Sequence, residues 1–310
     1  MIDLQEVTRR FGTFTAVDSL SLSVPKGQVL GFLGPNGAGK TTTMRMITGF
    51  LAPTAGTVKV CDIDVVEDPV AAKRKIGYMP EGAPSYAEMT VLSFLDFIAE
   101  TRGLEDSAKE KALDRVVGEI SLEGVLYQTI DTLSKGYKRR VGLAQALIHD
   151  PDILILDEPT EGLDPNQKRE VRSLIQRIKE NKAIVISTHV LEEVEAMCSR
   201  AVIINKGKIV LDDTPKELLA KSGAHQKVFF TLPYFQKERA LTLFGEMSQI
   251  KVIAEHQEKE EEIIIAVKAA SSASVAAEVV EALRSQHIKI IDLYVEKGRL
   301  EEVFYAHTSS

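Results

Sequence analysis

Short apolar runs divided by turn signals open the chain. Residues 1–25 predict short strands, closed by a turn at Val24-Pro25-Lys26-Gly27. Gln28-Val29-Leu30-Gly31-Phe32-Leu33 is then a nearly unbroken apolar run, the pattern of a strand buried on both faces. A glycine-rich loop, Gly34 to Lys40, leads into a predicted helix from Thr41 to Gly49, and Val58-Lys59-Val60-Cys61 predicts another strand. From about residue 88 to 150 the period lengthens. Val91, Leu92, Leu95 and Ile98 recur at helical spacing, and 106–120 is rich in helix formers. Ile153-Leu154-Ile155-Leu156 and Ala183-Ile184-Val185-Ile186 predict two further buried strands. Between them Asp164-Pro165 reads as an N-cap with proline at the first helical position, opening a helix to about 180. Strand, helix, strand in that order predicts a parallel sheet.

The pattern changes after Thr214-Pro215-Lys216-Glu217, a capping-box signature, with Gly223 as a C-terminal stop. A domain boundary is expected there. Residues 226–296 then read strand, helix, strand, strand, helix, strand. The strands are Lys227–Leu232, Lys251–His256, Glu262–Lys268 and Ile288–Glu296. The second helix carries Val275, Val279 and Leu283 on one face, with Ala276 and Val280 beside them. This order is the split βαβ plan. Glu258-Lys259-Glu260-Glu261-Glu262 reads as a solvated hairpin, and a last short helix covers about 300–306.

Composition narrows the class. The chain has 310 residues, enough for about two domains. At 44% apolar and 27% charged it matches ordinary globular composition. The net charge is −7 and both parts are acidic, so no excess of positive charge awaits a nucleic-acid backbone. Cys61 and Cys198 lie too far apart in sequence for a disulfide framework or zinc cluster, which suits a reducing cytosol. Met1-Ile2-Asp3-Leu4-Gln5-Glu6 has neither the basic flank nor the apolar core of a signal peptide. No run approaches 18 apolar residues, so any membrane role is expected through a partner.

Three segments carry chemistry. Gly34-Pro35-Asn36-Gly37-Ala38-Gly39-Lys40-Thr41 fits G-x-x-x-x-G-K-[ST], preceded by a buried strand and followed by a helix. Glycines there let backbone N–H groups turn toward phosphate oxygens, and the helix N-terminus favours anions. Lys40 is expected to reach the β- and γ-phosphates and the Thr41 hydroxyl to ligate Mg²⁺. Ile153 to Leu156 ends in Asp157-Glu158. The first carboxylate suits the Mg²⁺ shell and the second is placed to polarise an attacking water. Leu133-Ser134-Lys135-Gly136-Tyr137-Lys138-Arg139-Arg140 reads as a helix start capped by Ser134.

With this third segment the chain resembles the nucleotide-binding subunit of an ATP-binding cassette (ABC) transporter. The usual signature is Leu-Ser-Gly-Gly-Gln; here Lys135 and Tyr137 replace its third and fifth residues while Ser134 and Gly136 remain. Glu161-Gly162-Leu163-Asp164 matches the family's loop at the dimer seam, and Ser187-Thr188-His189 its switch histidine. The resemblance implies that residues 34–42, Thr42 included, hold the nucleotide. It makes Glu158 the base and His189 its partner at the γ-phosphate, and brings Ser134 and Gly136 to ATP from a second subunit. Phe11 falls where the family stacks an aromatic on adenine, though a core role fits it equally well. Tyr78-Met79-Pro80-Glu81 falls at the glutamine loop, with Glu81 in place of glutamine; it is a further candidate for Mg²⁺. His149, His225, His256, His287 and His307 match no motif and read as solvated or locally bonded.

The resemblance covers about residues 1–220. It implies an α/β P-loop NTPase cassette over 1–223, with a RecA-like core, an antiparallel β subdomain and a helical subdomain at about 84–150. A small ferredoxin-like α+β domain is expected over 224–310. One cassette per chain implies a head-to-tail dimer with two composite sites and a separate polytopic permease, docked on the helical segment. The subunit would then lie on the inner face of the membrane. The tail, closing in Leu300-Glu301-Glu302-Val303-Phe304, is similar to that of ATPases paired with drug, polysaccharide or antibiotic exporters. Leu-Ser-Lys-Gly-Tyr resembles the gliding-motility and copper-processing branches. Two alternatives stand beside this. Soluble cassette ATPases acting on ribosomes or DNA usually carry a second cassette or a coiled-coil insert, and neither is present. A GTPase usually carries Asn-Lys-x-Asp, but Asn205-Lys206-Gly207-Lys208 lacks the aspartate, which favours ATP; with no basic face, no nucleic-acid partner is expected.

Overall fold

The computed structural model describes residues 1–82, 86–222, 227–259, 261–269 and 275–309, with side chains of 255–259 left aside. Gly223 and His225, and with them the expected boundary at 223/224, lie outside the described residues, as does Glu260 of the acidic hairpin. The chain forms two compact units, Met1–Pro215 with His307–Ser310, and Lys216–Ala306.

The first unit opens with β1 (Ile2–Phe11) and β2 (Phe14–Val24), followed by β3 (Val29–Leu33) and α1 (Lys40–Ile47). Next come β4 (Ala55–Val60), β5 (Ile63–Asp64), α2 (Pro69–Arg74) and β6 (Ile76–Met79). A helical stretch holds α3 (Val91–Thr101), α4 (Asp106–Ile120) and α5 (Lys135–Leu147). Then follow β7 (Ile153–Asp157), α6 (Pro165–Ile178), β8 (Ala183–Ser187) and α7 (Leu191–Met197). β9 (Arg200–Asn205), β10 (Lys208–Asp213) and the start of α8 (Pro215–Ala220) complete it.

These strands make two sheets. An antiparallel sheet has the order β2-β1-β4-β5. A six-stranded sheet has the order β10-β9-β3-β8-β7-β6, parallel except for β10. β3, β7 and β8 are buried at every residue, as strands covered on both faces must be. Side chains alternate across the pleat. Ile153 and Ile155 therefore join one core, shared with α1 and the antiparallel sheet, while Leu154 and Leu156 join another under the helical stretch. Gly77 lets α5 come close, since a Cβ there would lie 2.0 Å from the Ala146 carbonyl oxygen.

Several expectations are corrected in detail. Residues 1–25 form one long bulged hairpin instead of short strands. Two of its three register shifts coincide with left-handed Glu6 and Ser19, which let the pairing continue past those bulges. Cys61 leaves its strand, with φ of 49°. The parallel sheet also contains β6 and β9, which the apolar pattern had not singled out.

The second unit contains β11 (Lys227–Pro233), α9 (Lys237–Glu246), β12 (Ile250–Lys259), β13 (Glu262–Ala269), α10 (Ala276–Ser285), β14 (Asp292–Val295) and most of α11 (Leu300–Thr308). Its sheet has the order β12-β13-β11-β14, antiparallel throughout. Val228, Phe230, Ile263 and Ile265 pack against Phe244, Val279 and Leu283 of the two helices. The last strand is shorter than the predicted Ile288–Glu296. The Ile288 N–H donates to the Leu283 carbonyl and the Lys289 N–H to Gln236 Oε1, so both amides finish helix packing and do not enter the ladder.

Candidate functional site

The carboxyl ends of β3, β7 and β8 lie side by side, because those strands are neighbours in a parallel sheet. Open α/β sheets bind ligands along this edge. Here the loop after β3 is Gly34 to Gly39. A Cβ on Gly34 would stand 2.5 Å from the Ile204 carbonyl oxygen. Gly39 has φ of 109° and a Cβ there would stand 2.6 Å from the Ala16 carbonyl. Only glycine fits both positions. The loop feeds α1, whose first residue is Lys40, with Thr41 exposed and Thr42 half-buried beside it. The Lys40 ammonium donates to the Gly34 and Pro35 carbonyls at 2.6 and 3.2 Å. Burial pulls its pKa below the ordinary lysine value, opposed by the charges of Glu158, Asp157 and Glu81. The loop thus presents backbone N–H groups, one ammonium and a hydroxyl, a set matched to a polyphosphate.

Asp157 ends β7 and is 5% exposed. Burial pushes its pKa up, countered by the Ser187 hydrogen bond and raised further by Glu158 and Glu81. A buried carboxylate held in this way gains by meeting a cation. Magnesium takes one or two protein oxygens and completes its shell with phosphate and water. The Asp157 carboxylate and Thr41 hydroxyl are donors of that kind.

Glu158 follows in the left-handed region at φ 50°, uncommon for a side chain of this size. The turn is held because the Glu158 N–H donates to the Ser187 carbonyl at 2.9 Å. Its carboxylate is gripped by the end of β8. The Thr188 hydroxyl donates to Oε2 at 3.1 Å, and the His189 N–H donates to Oε1 at 3.1 Å. His189 Nδ1 meets the same oxygen at 2.8 Å. A carboxylate has about four acceptor positions, so three partners leave about one for water. The glutamate side chain is 12% exposed and the histidine 63%.

The sequence motif contained Thr188 without giving it this task. It also passed over Glu193, which is fully buried on α7. Glu193 Oε2 accepts from Arg172 Nε at 2.9 Å, and Lys168 approaches Oε1 at 3.6 Å. This clamp fixes the helix after His189 onto α6. The signal was there: Lys168 and Arg172 stand four apart on one face of α6.

The second cluster lies at the amino end of α5. Ser134 caps it, accepting from the Tyr137 N–H at 3.4 Å. Gly136 is buried against α6, where a Cβ would meet the Gln167 amide at 2.4 Å. Gln167 closes the capping box of Asp164. Arg139 joins this end of α5 to Glu161 at 2.9 Å. Ser134, Gly136 and the 161–164 loop are therefore neighbours. Among the described residues, no hydrogen bond or ion pair joins Ser134 or Gly136 to Lys40, Asp157 or Glu158.

Phe11 is 46% exposed at the tip of the β1–β2 hairpin, which excludes the core role, and the Arg9 guanidinium lies 4.6 Å from its ring centre. Glu81 is exposed after β6, and its charge is felt at Lys40 and Asp157. His149 is locally bonded, its Nε2 3.1 Å from the Ile76 carbonyl oxygen.

Known proteins resemble this chain in sequence and fold. The family model described as "ABC transporter" matches residues 17–161. A probable multidrug ABC transporter ATP-binding protein of Escherichia coli, YbhF, is 36% identical over 227 residues. That match takes in 72% of this chain, and the chain spans about two fifths (39%) of that relative's length. An ABC transporter ATP-binding protein of Bacillus subtilis, YhcH, is 33% identical over 99% of this chain and 96% of its own length. A solved ATP-binding subunit of an ABC transporter superposes with a TM-score of 0.66 at 27% identity, over 70% of this chain and 91% of that one. The fold is that of an ABC cassette, and the chain belongs to the family of ABC transporter ATP-binding proteins.

Proposed function

We propose that this chain binds and hydrolyses Mg²⁺–ATP as a head-to-tail dimer and powers a separate membrane permease, with export as its direction. The observation that carries the hydrolytic part is the grip on Glu158. A carboxylate locked by Thr188 and His189 is aimed in advance and keeps one acceptor position for the proton of an attacking water. Residues 34–42 hold the phosphates, with Lys40 moving from loop carbonyls to phosphate oxygens. Thr41 and Asp157 hold the magnesium ion, with Glu81 as a further oxygen donor. That ion neutralises charge developing on the phosphates. His189 steadies the carboxylate, and Phe11 offers its exposed face to the adenine ring.

The dimer reading is supported by the absence, among the described residues, of any hydrogen bond or ion pair between the two clusters. One chain holds one phosphate loop and one capped α5, so two chains arranged head to tail complete two sites. Binding of the triphosphate favours the closed pair and its cleavage releases it. Export is supported by the multidrug description of YbhF. Among the described residues no helix is long and apolar enough to cross a membrane. A cleft of about 630 Å³ lined by Phe50, Val70, Lys73, Tyr78, Ile98 and Arg102 suits contact with the permease at the inner face of the membrane. Phe50 and Val70 are 67% and 62% exposed there. The second unit, read as ferredoxin-like, fits a regulatory or permease-contacting module.

The test is Glu158→Gln. It should bind ATP, lower turnover by about 10²–10⁴, and accumulate as a dimer in light scattering with Mg²⁺–ATP. Full turnover by that variant removes Glu158 from the role of base.

A further inference from the structure

The signature departs from the family at two positions, and the structure treats them differently. Tyr137 is turned into the protein. It packs against the core beneath the helical stretch, with the Arg140 guanidinium 5.3 Å from its ring centre. The fifth position is thereby spent on packing. Lys135 is exposed as the first residue of α5, directly after the Ser134 cap.

Four basic side chains crowd the first turns of this helix, and the first turn holds no acidic residue. A cation at a helix N-terminus meets the positive end of the dipole and is disfavoured. Three of the four are tied down. Lys138 donates to the Asp131 carbonyl at 2.8 Å. Arg139 pairs with Glu161, and Arg140 pairs with Glu170. The Lys135 ammonium has no hydrogen bond or ion pair among the described residues. Its stem runs beside Gly162, with Cδ 3.5 Å from where a Cβ on that glycine would stand. Lys135 thus lies along the loop expected at the dimer seam, beside the serine expected to meet phosphate.

We infer that Lys135 is a phosphate contact acting in trans: its ammonium pairs with the terminal phosphate of the ATP held by the phosphate loop of a second copy of this chain. The inference rests on the head-to-tail reading. A glycine at this position offers only backbone N–H groups and the helix dipole. The lysine adds a full positive charge, so closure of the dimer should discriminate more strongly between ATP and ADP. Among the described residues no hydrogen bond or ion pair joins Lys135 to Lys40 or Asp157, and ATP binding by the monomer should not depend on it.

The experiment uses the full chain carrying Glu158→Gln, alone and combined with Lys135→Gln, Lys135→Gly or Lys135→Arg. Light scattering against ATP concentration reports dimerisation, and a fluorescent ATP analogue below the dimerising protein concentration reports binding by the monomer. Lys135→Gln and Lys135→Gly should raise the ATP concentration for half-dimerisation about tenfold, the size of one charge-assisted hydrogen bond. Lys135→Arg should stay near the parent, and monomer binding should be unchanged in all. A parent that dimerises while Lys135→Gln does so at the same ATP concentration overturns the lysine's role alone. A parent that stays monomeric overturns the head-to-tail reading and the lysine's role with it. Equal loss of monomer binding and dimerisation would mark a structural role and also overturn the inference.

Discussion

The two clusters that the proposed function assigns to ATP hold their polar groups in opposite ways. At the carboxyl edge of the six-stranded sheet the ammonium and the second carboxylate already have partners within the chain. Lys40 donates to two carbonyls, and Glu158 is held by Thr188 and His189. At the amino end of α5 the serine cap is exposed and a lysine beside it has no partner among the described residues. On the proposed head-to-tail reading, the first cluster is assembled within one chain and the second is half of a site, its spare positive charge suited to a phosphate carried by the other copy.

The comparison can be broken first at the phosphate loop. Gly39 is both left-handed and crowded by the Ala16 carbonyl, whereas Gly37 is left-handed at φ 80° with open space around its missing Cβ. Gly39→Ala should destabilise the fold by on the order of 3 kcal/mol, combining backbone strain with overpacking. Urea unfolding measures it, and a cost near zero would deny that the loop is a tight cradle.

The other end of α5 gives the next effect. His149 is half-buried just past that helix. Burial, helped by the Arg102 charge, lowers its pKa from 6.5 to about 4. The folded state therefore binds this proton less readily than the unfolded chain. The contribution is complete above pH 6.5 and is lost as pH falls toward 4, by at most about 3 kcal/mol. Unfolding midpoints across that range should fall more steeply for the parent than for His149→Gln. Equal slopes would contradict the lowered pKa of His149 in the folded state. The smallest effect is Gly37→Ala, about 1 kcal/mol from the left-handed backbone alone; matching losses at both glycines would erase the distinction drawn between them.

Much of this was legible in the residues, for definite reasons. The buried strands β3, β7 and β8 announced themselves because burial on both faces demands continuous apolar runs. The Gly34–Thr41 loop and the Asp157-Glu158 pair were readable because phosphate chemistry restricts residue type and spacing together. What stayed hidden depends on tertiary contact. β6 escaped because Gly77, needed for the approach of α5, interrupts its apolar run. The start of the predicted final strand was lost to hydrogen bonds with the neighbouring helix and turn that no local pattern encodes. Thr188 and Glu193 have their partners on distant segments. Phe11 offered two readings until its exposure at the hairpin tip separated them.

Mixing two disabled chains tests most directly whether the site is shared between copies. Lys40→Ala keeps the capped α5 but loses the phosphate loop's ammonium, while Ser134→Arg keeps the loop and loses the cap. Each alone should hydrolyse little ATP. Together they can form one intact composite site per mixed dimer, so the account predicts turnover well above the sum of the separate activities. Turnover equal to that sum, with each variant folded, would show that one chain holds its whole catalytic site and would contradict the account.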